Sequence, residues 1–535
     1  MMKWIWVLIV PVYLWINIPS LHDGLFHVID NVQVTRMEAM YHELISGQFP
    51  VRYVDAFGHG AGNFIFKYYS PLIYYLGSIF QYLGFSSIKA VKLIYLLMTA
   101  TGTIGMWVLL GSFVNGNLAK TLGTIAFITA PYFYHDFFHR GSLTEASALS
   151  LVPWLWWLFY TSNNRLSRRQ SVAAAMGLAV IILTHSLTAI MLLGTLLLFL
   201  ILSSNNLKKY PSYLLAIVLG CGLSAFSLIP IFAEKNLTRY ESNELVKTGY
   251  IDHPIPISHQ LLMTSPSKSA YLGITLSIVL ALTTYAYFYH KDLRNKYIQI
   301  LKIILIIAYG GIYLMSPESA WLWEKIIYLR YFQFPFRILT IVTTALAVAY
   351  AILIEYYRKN KYVLVGLIAL LFVPLILNRS YYNVAGYQFG TKYTVDDPCM
   401  TNTWADEYLS IWTSECLKSK PISLVTPMVN NLMITNNGRT IAFDVSENRE
   451  YTVSKYYFPE WVARDDKGQL LTTEPTGENG LIKVMSGSDS RNVVLKMERS
   501  KASIYGDTIS LISMIICFLL LVLELRTKEI LKKAV

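Results

Sequence analysis

Long apolar runs separated by short polar bridges dominate the chain. They fall at about 4–20, 70–84, 90–112, 118–134, 144–160, 171–203, 212–232, 271–289, 297–315, 338–354, 361–377 and 506–525. A run of roughly twenty apolar residues matches the hydrocarbon thickness of a bilayer, so most of these predict membrane-crossing helices. Two do not fit one crossing each. The 171–203 run is too long for one crossing and short for two, and the 70–84 run is short for one.

Basic residues decide both cases. Arg165, Arg168 and Arg169 precede the 171–203 run, and Lys208 and Lys209 follow it. Basic clusters favour the cytoplasmic side, so the run must cross an even number of times. That predicts two short helices turning on the outer side near Thr184-His185-Ser186. Interrupted helices of this kind are tolerated where they line a polar cavity. A crossing at 70–84 would put Glu145 inside and the arginine cluster outside. With Tyr74, Tyr75 and Tyr82, that run reads instead as an interfacial helix on the outer leaflet. The expected fold is a polytopic α-helical membrane protein of about twelve spans, with both termini cytoplasmic. The first span reads as uncleaved, since Asn17, Ile18, Pro19 and Leu21 offer no small-residue cleavage pattern.

The pattern changes at 378–505. Apolar residues alternate at period two in TIAFDV, REYTVSKYY, GLIKVMS and NVVLKME, with turn signals NNGR, DDKG, GENG and SGSDS between them. A small outer β-sandwich is expected there, before a last anchoring helix. The division is then a transmembrane domain 1–377 with a first outer loop 21–70, an extracytoplasmic β-rich domain 378–505, and an anchor with a basic tail, 506–535.

Composition sharpens this picture in three places. The 535 residues are 54% apolar and only 15% charged. The net charge of +12 is assigned to cytoplasmic loops, not to nucleic-acid binding. Of the four cysteines, Cys221 and Cys517 lie in apolar runs. Cys399 and Cys416 lie in the β-rich region and would pair if it faces an oxidising compartment. No Cys/His spacing suggests zinc.

Charge gathers in the stretch His22 to Pro71, which holds Asp23, His27, Asp30, Arg36, Arg52 and His59. Asp23 sits just past the first span, where a carboxylate can deprotonate an acceptor hydroxyl if burial lifts its pKa. Asp30 is its rival. The structural alternative is that both cap an amphipathic run around 31–46. A second polar cluster, YHDFFHRGSLTEAS, supplies Asp136, His139, Arg140 and Glu145. Ser142 and Glu145 also fit a capping box, which would give Glu145 a purely structural role. Two acidic loops on one face could instead converge as acid/base and orienter, or hold a divalent cation. His185, at the expected turn, is an ionisable group at membrane depth. Arg337, with Gln333 before it, suits a lipid phosphate by paired hydrogen bonds. Its alternative role is snorkelling to bulk head groups. Arg36, Arg52, His27 and His59 are further candidates for phosphate or sugar contact.

Several local motifs together carry a family resemblance. They are G-x-F-P-x-R from Gly47 to Arg52, Tyr69-Ser70-Pro71-Leu72, His22-Asp23, Leu183-Thr184-His185, Gln333 to Arg337, Glu407-Tyr408-Leu409 and Tyr457 to Trp461. The chain resembles the GT-C superfamily of membrane glycosyltransferases. Within it, the chain is similar to bacterial membrane proteins labelled YfhO-like or 6-pyruvoyl-tetrahydropterin synthase-related. Ser410 stands where that pattern would have proline. The resemblance implies a GT-C fold and transfer of a sugar from a polyprenyl-phosphate donor on the outer face of the bacterial plasma membrane. The partners implied are membrane lipid, the lipid-linked sugar, and an envelope glycopolymer, lipid or protein acceptor. Asp23 matches the position of the family's catalytic acid; Glu145, from the second acidic loop, is the other catalytic candidate, read from the residues alone. No cofactor is implied. Two other classes fit the same architecture: a transporter or flippase for lipid-linked saccharides, and a non-catalytic assembly factor.

Overall fold

A computed structural model describes residues 6–160, 166–202, 210–240, 250, 254–262, 270–389, 399–401, 403 and 406–534. Arg165, Lys208 and Lys209, on which part of the topology argument rests, lie outside the described residues.

Helices make up most of the first 377 residues. Four are long and apolar enough to cross a membrane: Ser87–Leu110, Lys291–Met315, Pro335–Tyr357 and Lys501–Arg526. Tyr210–Leu223 and Ala225–Leu237 meet the test only as a pair, bent by 74°. By length and composition the described residues therefore give four crossings, or five with the bent pair, where the run pattern predicts about twelve. The physical reason is that several apolar runs are interrupted. The 171–203 run breaks at His185 into Arg168–Thr184 and Ser186–Leu202, of 17 residues each. The 70–84 run yields Leu72–Tyr82, whose 11 residues rise only about 16 Å, well short of a bilayer.

The helix Leu339–Tyr357 is the centre of the bundle. The most apolar part of Pro335–Tyr357 is 89% buried, against 11% for that of Lys501–Arg526 at the periphery. Its sequence explains this. Thr340, Thr343, Thr344, Ala345, Ala347, Ala349 and Ala351 keep it thin enough for neighbours to approach closely. Gly123 on the helix Asn117–Ile128 meets it where a Cβ would come within 2.8 Å of Ala351.

The β-rich region builds two antiparallel sheets. The strands in chain order are β1 (Leu25–Phe26), β2 (Tyr387–Gln388), β3 (Val425–Thr426), β4 (Met433–Thr435), β5 (Thr440–Asp444), β6 (Glu450–Tyr456), β7 (Trp461–Asp465), β8 (Leu470–Leu471), β9 (Thr473–Thr476), β10 (Leu481–Met485) and β11 (Asn492–Met497). One sheet runs β3-β6-β10-β9 and the other β4-β5-β11-β7-β8. The period-two alternation sets which side is buried. Ile441, Phe443, Val493 and Leu495 of one sheet and Val453, Ile482 and Val484 of the other are all fully buried. Phe443 and Tyr451 touch across the gap at 5.6 Å.

The polar stretch 22–71 lies between the helices and the sheets and is tied to both. Arg52 donates to Asp507 at 2.6 Å and to the Phe226 carbonyl at 3.1 Å. Asp55 pairs with Lys455 at 2.5 Å. Buried Glu43 accepts from the Asp55 N–H and from Asn437. Cys399 and Cys416 form a disulfide, with Cα atoms 5.5 Å apart.

Candidate active site

The site is assembled from loop segments and helix starts on the side that carries the sheets. Segment 24–30 is fixed from two directions. β1 pairs with β2, and the N–H groups of Ile29 and Asp30 donate to the His139 and Arg140 carbonyls at 3.1 and 2.7 Å. Asp30 is thereby held beside Arg140, its carboxylate 3.9 Å from Nε. Asp23 precedes the pinned segment and is exposed, next to Lys92, which donates to the His22 and Asp23 carbonyls.

Residues His135–Arg140 form a π-helix, a wide turn that recurs at functional sites. It ends at Gly141, with φ 71°, where a Cβ would lie 2.5 Å from Val28. The next helix, Leu143–Tyr160, places Glu145 in its first turn with no exposed surface. The capping-box alternative is not what this carboxylate does. Its Oε2 accepts from Arg140 Nη1 at 2.6 Å and from Arg337 Nε at 2.9 Å, and its Oε1 accepts from the Tyr132 hydroxyl at 3.0 Å. The Ser142 N–H donates instead to the Asp136 carbonyl.

Arg337 stands just before Leu339–Tyr357. Its Nη1 donates to the Phe332 carbonyl at 2.7 Å and to Gln333 Oε1 at 3.0 Å. Gln333 holds φ 60°, a conformation uncommon outside glycine. His185, at the helix break, has Nδ1 2.8 Å from Thr188 Oγ1 and Nε2 4.0 Å from Glu145 Oε2. Asp136 accepts from Arg140 at 3.2 Å through Oδ1, while its buried Oδ2 has no partner. Burial, then the charge of Glu145, holds the Asp136 carboxyl well above its ordinary range. Burial, with the charges of His139 and Arg140, pushes His135 down to about 3, so its ring is neutral.

These groups form the polar end of a cavity of about 1230 Å³. Asp30, Arg36, Arg140, His185, Gln333 and Arg337 line it, and Glu145 and Asp136 lie directly behind, touching the lining arginines. Another wall is apolar, with Ile182, Leu187, Ile190, Leu193, Leu228, Ile231 and Phe232. Ile190 and Phe232 are 51% and 68% exposed, so this wall continues onto the outside of the helices.

Seven sequence candidates do not line the cavity: Asp136 and Glu145, just behind it, and five others. Asp23 and His27 are exposed, the latter against Gly386. Arg52 is engaged with Asp507. His59 sits at φ 56° between Gly58 and Gly60. His139 turns to the Asn383 carbonyl at 3.1 Å. Conversely, Tyr69, His135, Tyr240, Glu407 and Tyr408 line it without having been singled out for a role. The advance signals were Tyr69-Ser70-Pro71-Leu72 and Glu407-Tyr408-Leu409 among the family motifs, and the place of His135 in the second polar cluster. A divalent cation finds no donor set: among the described residues no three His, Cys, Asp or Glu side chains are placed to hold one. Asp30, Asp136 and Glu145 each face an arginine.

Apolar helices packed around a charged internal cavity define an α-helical membrane protein. Within that class the chain belongs to the family described as the 6-pyruvoyl-tetrahydropterin synthase related domain, a membrane protein family, which matches residues 66–384. No curated protein matches. Among solved structures, the chain is similar to the arabinofuranosyltransferase AftD from Mycobacteria, at 12% identity and a TM-score of 0.46 over 71% of this chain and 26% of that one. It is also similar to the Archaeoglobus fulgidus oligosaccharyltransferase, at 14% identity and a TM-score of 0.43 over 72% of this chain and 57% of that one. The chain thus spans about a quarter of the first structure's length and somewhat over half of the second's.

Proposed function

We propose that the protein is a membrane glycosyltransferase. It moves a sugar from a polyprenyl-phosphate donor to a cell-envelope acceptor on the extracytoplasmic face of the bacterial plasma membrane, with both termini cytoplasmic. The observation that carries this reading is the two-natured cavity. Its apolar wall reaches exposed Ile190 and Phe232, which suits entry of an isoprenoid chain from the bilayer. Its polar end offers Arg36, Arg140 and Arg337, which suit a phosphate. The Cys399–Cys416 disulfide fits an oxidising compartment on the side that carries the sheets.

The reaction is written as a single displacement. An acceptor hydroxyl loses its proton to a carboxylate, and its oxygen attacks the anomeric carbon. The bond from that carbon to the phosphate oxygen breaks, and the electron pair leaves with the prenyl phosphate. Inversion follows. Asp30 is assigned the proton, because it lines the cavity beside Arg140 whereas Asp23 is exposed outside it. The arginines offset charge on the leaving group. Glu145 positions two of them through one oxygen, and His185 and Gln333 complete the polar end.

Mass analysis of envelope glycopolymers from cells with and without the protein tests the reading. Asp30→Asn is expected to reproduce the loss seen on deletion, at normal membrane levels, and Asp23→Asn to restore the glycan. The reverse pattern would move the base to Asp23. Rescue by both variants would favour a non-catalytic assembly factor.

A further inference from the structure

Two helix turns meet in one corner at the end of the bundle away from the cavity. Ile274–Tyr289 ends there and Lys291–Met315 begins there; Leu339–Tyr357 ends there and Lys361–Leu377 begins there. His290 joins the two turns. Its Nε2 meets the Tyr357 hydroxyl at 2.9 Å and its Nδ1 the Tyr356 hydroxyl at 3.4 Å. The 19 residues of Leu339–Tyr357 rise about 28 Å, close to the hydrocarbon thickness of a bilayer. Arg337 stands just before that helix, so the corner lies at the opposite membrane surface.

The corner is basic. Lys291, Arg294 and Lys296 follow His290, and Arg358, Lys359 and Lys361 follow Tyr357. All but half-buried Arg294 are exposed. Glu355 pairs with Arg358 at 3.0 Å and accepts from the Gly116 N–H at 3.1 Å. Among the described residues the other five cations form no ion pair. The cavity side is built the other way: Arg52, Lys67, Arg140, Arg337 and Lys455 each face a carboxylate. A preference for one side accounts for basic residues at this surface. It does not account for two basic runs drawn together by a hydrogen-bonded histidine. Nor does helix stability, since Lys291 and Lys361 open their helices, where the dipole disfavours a cation. An apolar stripe leads from the corner into the membrane. Ile278, Leu282, Tyr285 and Tyr289 recur at helical spacing and are all exposed, with the two tyrosine rings stacked at 4.9 Å.

We propose that this corner binds the head group of an anionic phospholipid, with an acyl chain along the stripe. The exposed cations face the phosphate diester, and the tyrosines sit at head-group level. A free anion would use the cations and leave the stripe without a partner. A zwitterionic phospholipid would use the stripe, but its own ammonium offsets its phosphate, so the cations favour it less. The site is separate from the cavity and holds whether or not the cavity transfers sugar.

The test uses the full-length protein in detergent micelles, titrated with phosphatidylglycerol and phosphatidylcholine that carry the same fluorescent acyl chain. Two exposed pairs are changed separately: Lys291→Gln with Lys296→Gln, and Lys359→Gln with Lys361→Gln. Lys418→Gln with Lys420→Gln, also exposed, removes the same charge from the sheet-bearing region. Melting temperatures monitor folding, and either corner pair carries the test if the other fails to fold. Wild-type protein is expected to hold phosphatidylglycerol about tenfold or more tightly than phosphatidylcholine. Each corner pair should weaken phosphatidylglycerol about tenfold and leave phosphatidylcholine within about twofold. The control pair should leave both within about twofold, and an excess of inorganic phosphate should not displace the lipid. Equal binding of the two lipids by wild-type protein would overturn the proposal. So would phosphatidylglycerol binding unchanged in the folded corner pairs, or weakened as much by the control pair. Displacement by inorganic phosphate would make the corner a free-anion site and overturn it as well.

Discussion

Glu145 and Lys67 each sit at the centre of a buried ionic cluster, yet the two clusters do opposite work. Lys67 lies between Glu234, at 2.5 Å, and Glu460, and is packed against the rings of Phe64 and Tyr68. It joins the polar stretch, the end of the helix Ala225–Glu234 and the sheet region, and it does not line the cavity. Glu145 instead holds two guanidinium groups whose residues do line it. Burial and charge are common to both, so neither property identifies a site. Access does. Sign differs as well: the sealed cluster has one cation for two carboxylates, whereas two arginines share one Glu145 oxygen beside the cavity. The second arrangement leaves positive character where an anionic leaving group could use it.

The largest expected effect is on the sealed cluster. Lys67→Met strands two carboxylates at the junction and should cost about 3–5 kcal/mol of stability. It would be read as a steep fall in melting temperature in detergent, with activity per folded molecule preserved. Glu145→Gln should lower transfer by about 10²–10³-fold. Its melting temperature should fall less, because water in the cavity can reach both guanidinium groups. Equal unfolding by the two variants would erase the distinction between junction and site. Arg337→Lys is expected to act more mildly still. A lysine cannot serve Glu145, the Phe332 carbonyl and Gln333 at once. The donor concentration for half-maximal rate should rise about tenfold, with little change in melting temperature. A rate unaffected at low donor would place the phosphate elsewhere.

The sheets were legible in the sequence because one physical rule sets them. TIAFDV alternates, and β5 buries every second residue. The break at His185 was legible from the basic residues flanking an overlong run. Which of Asp23 and Asp30 lines the cavity was not. That follows from β1 pairing with Tyr387 and Gln388, far along the chain, which no local pattern encodes. Nor could the sequence separate the two halves of the charged stretch. Asp30 and Arg36 go to the cavity, while Arg52 and Asp55 fasten the stretch to Asp507 and Lys455. Both halves are equally polar, and only the partners differ. The capping-box alternative for Glu145 arose because Ser142 has the right spacing, and two arginines overrule that local preference. The π-helix carries no periodic signal at all, so the turn that aims Asp136 and Arg140 was invisible.

Asp136 gives the finest version of the comparison, since it belongs to the cavity cluster but should not behave as a charge. It lies between the apolar runs, fully buried, with Oδ2 lacking a partner. Burial first, then the neighbouring Glu145 charge, raise its carboxyl well above the ordinary value. The folded protein therefore holds this proton more tightly than the unfolded chain does. Such a group contributes stability that is fully present below the unfolded carboxylate value of about 3.9. That contribution is lost as pH rises through the folded value. Asparagine at this position is neutral at every pH, so Asp136→Asn should flatten the decline of melting temperature with rising pH. Transfer at neutral pH should stay within about twofold of wild type, in contrast to Glu145→Gln. If Asp136→Asn instead costs as much transfer as Glu145→Gln, the ionised form of Asp136 is in use. Arg140 would then face three ionised carboxylates, Asp30, Asp136 and Glu145.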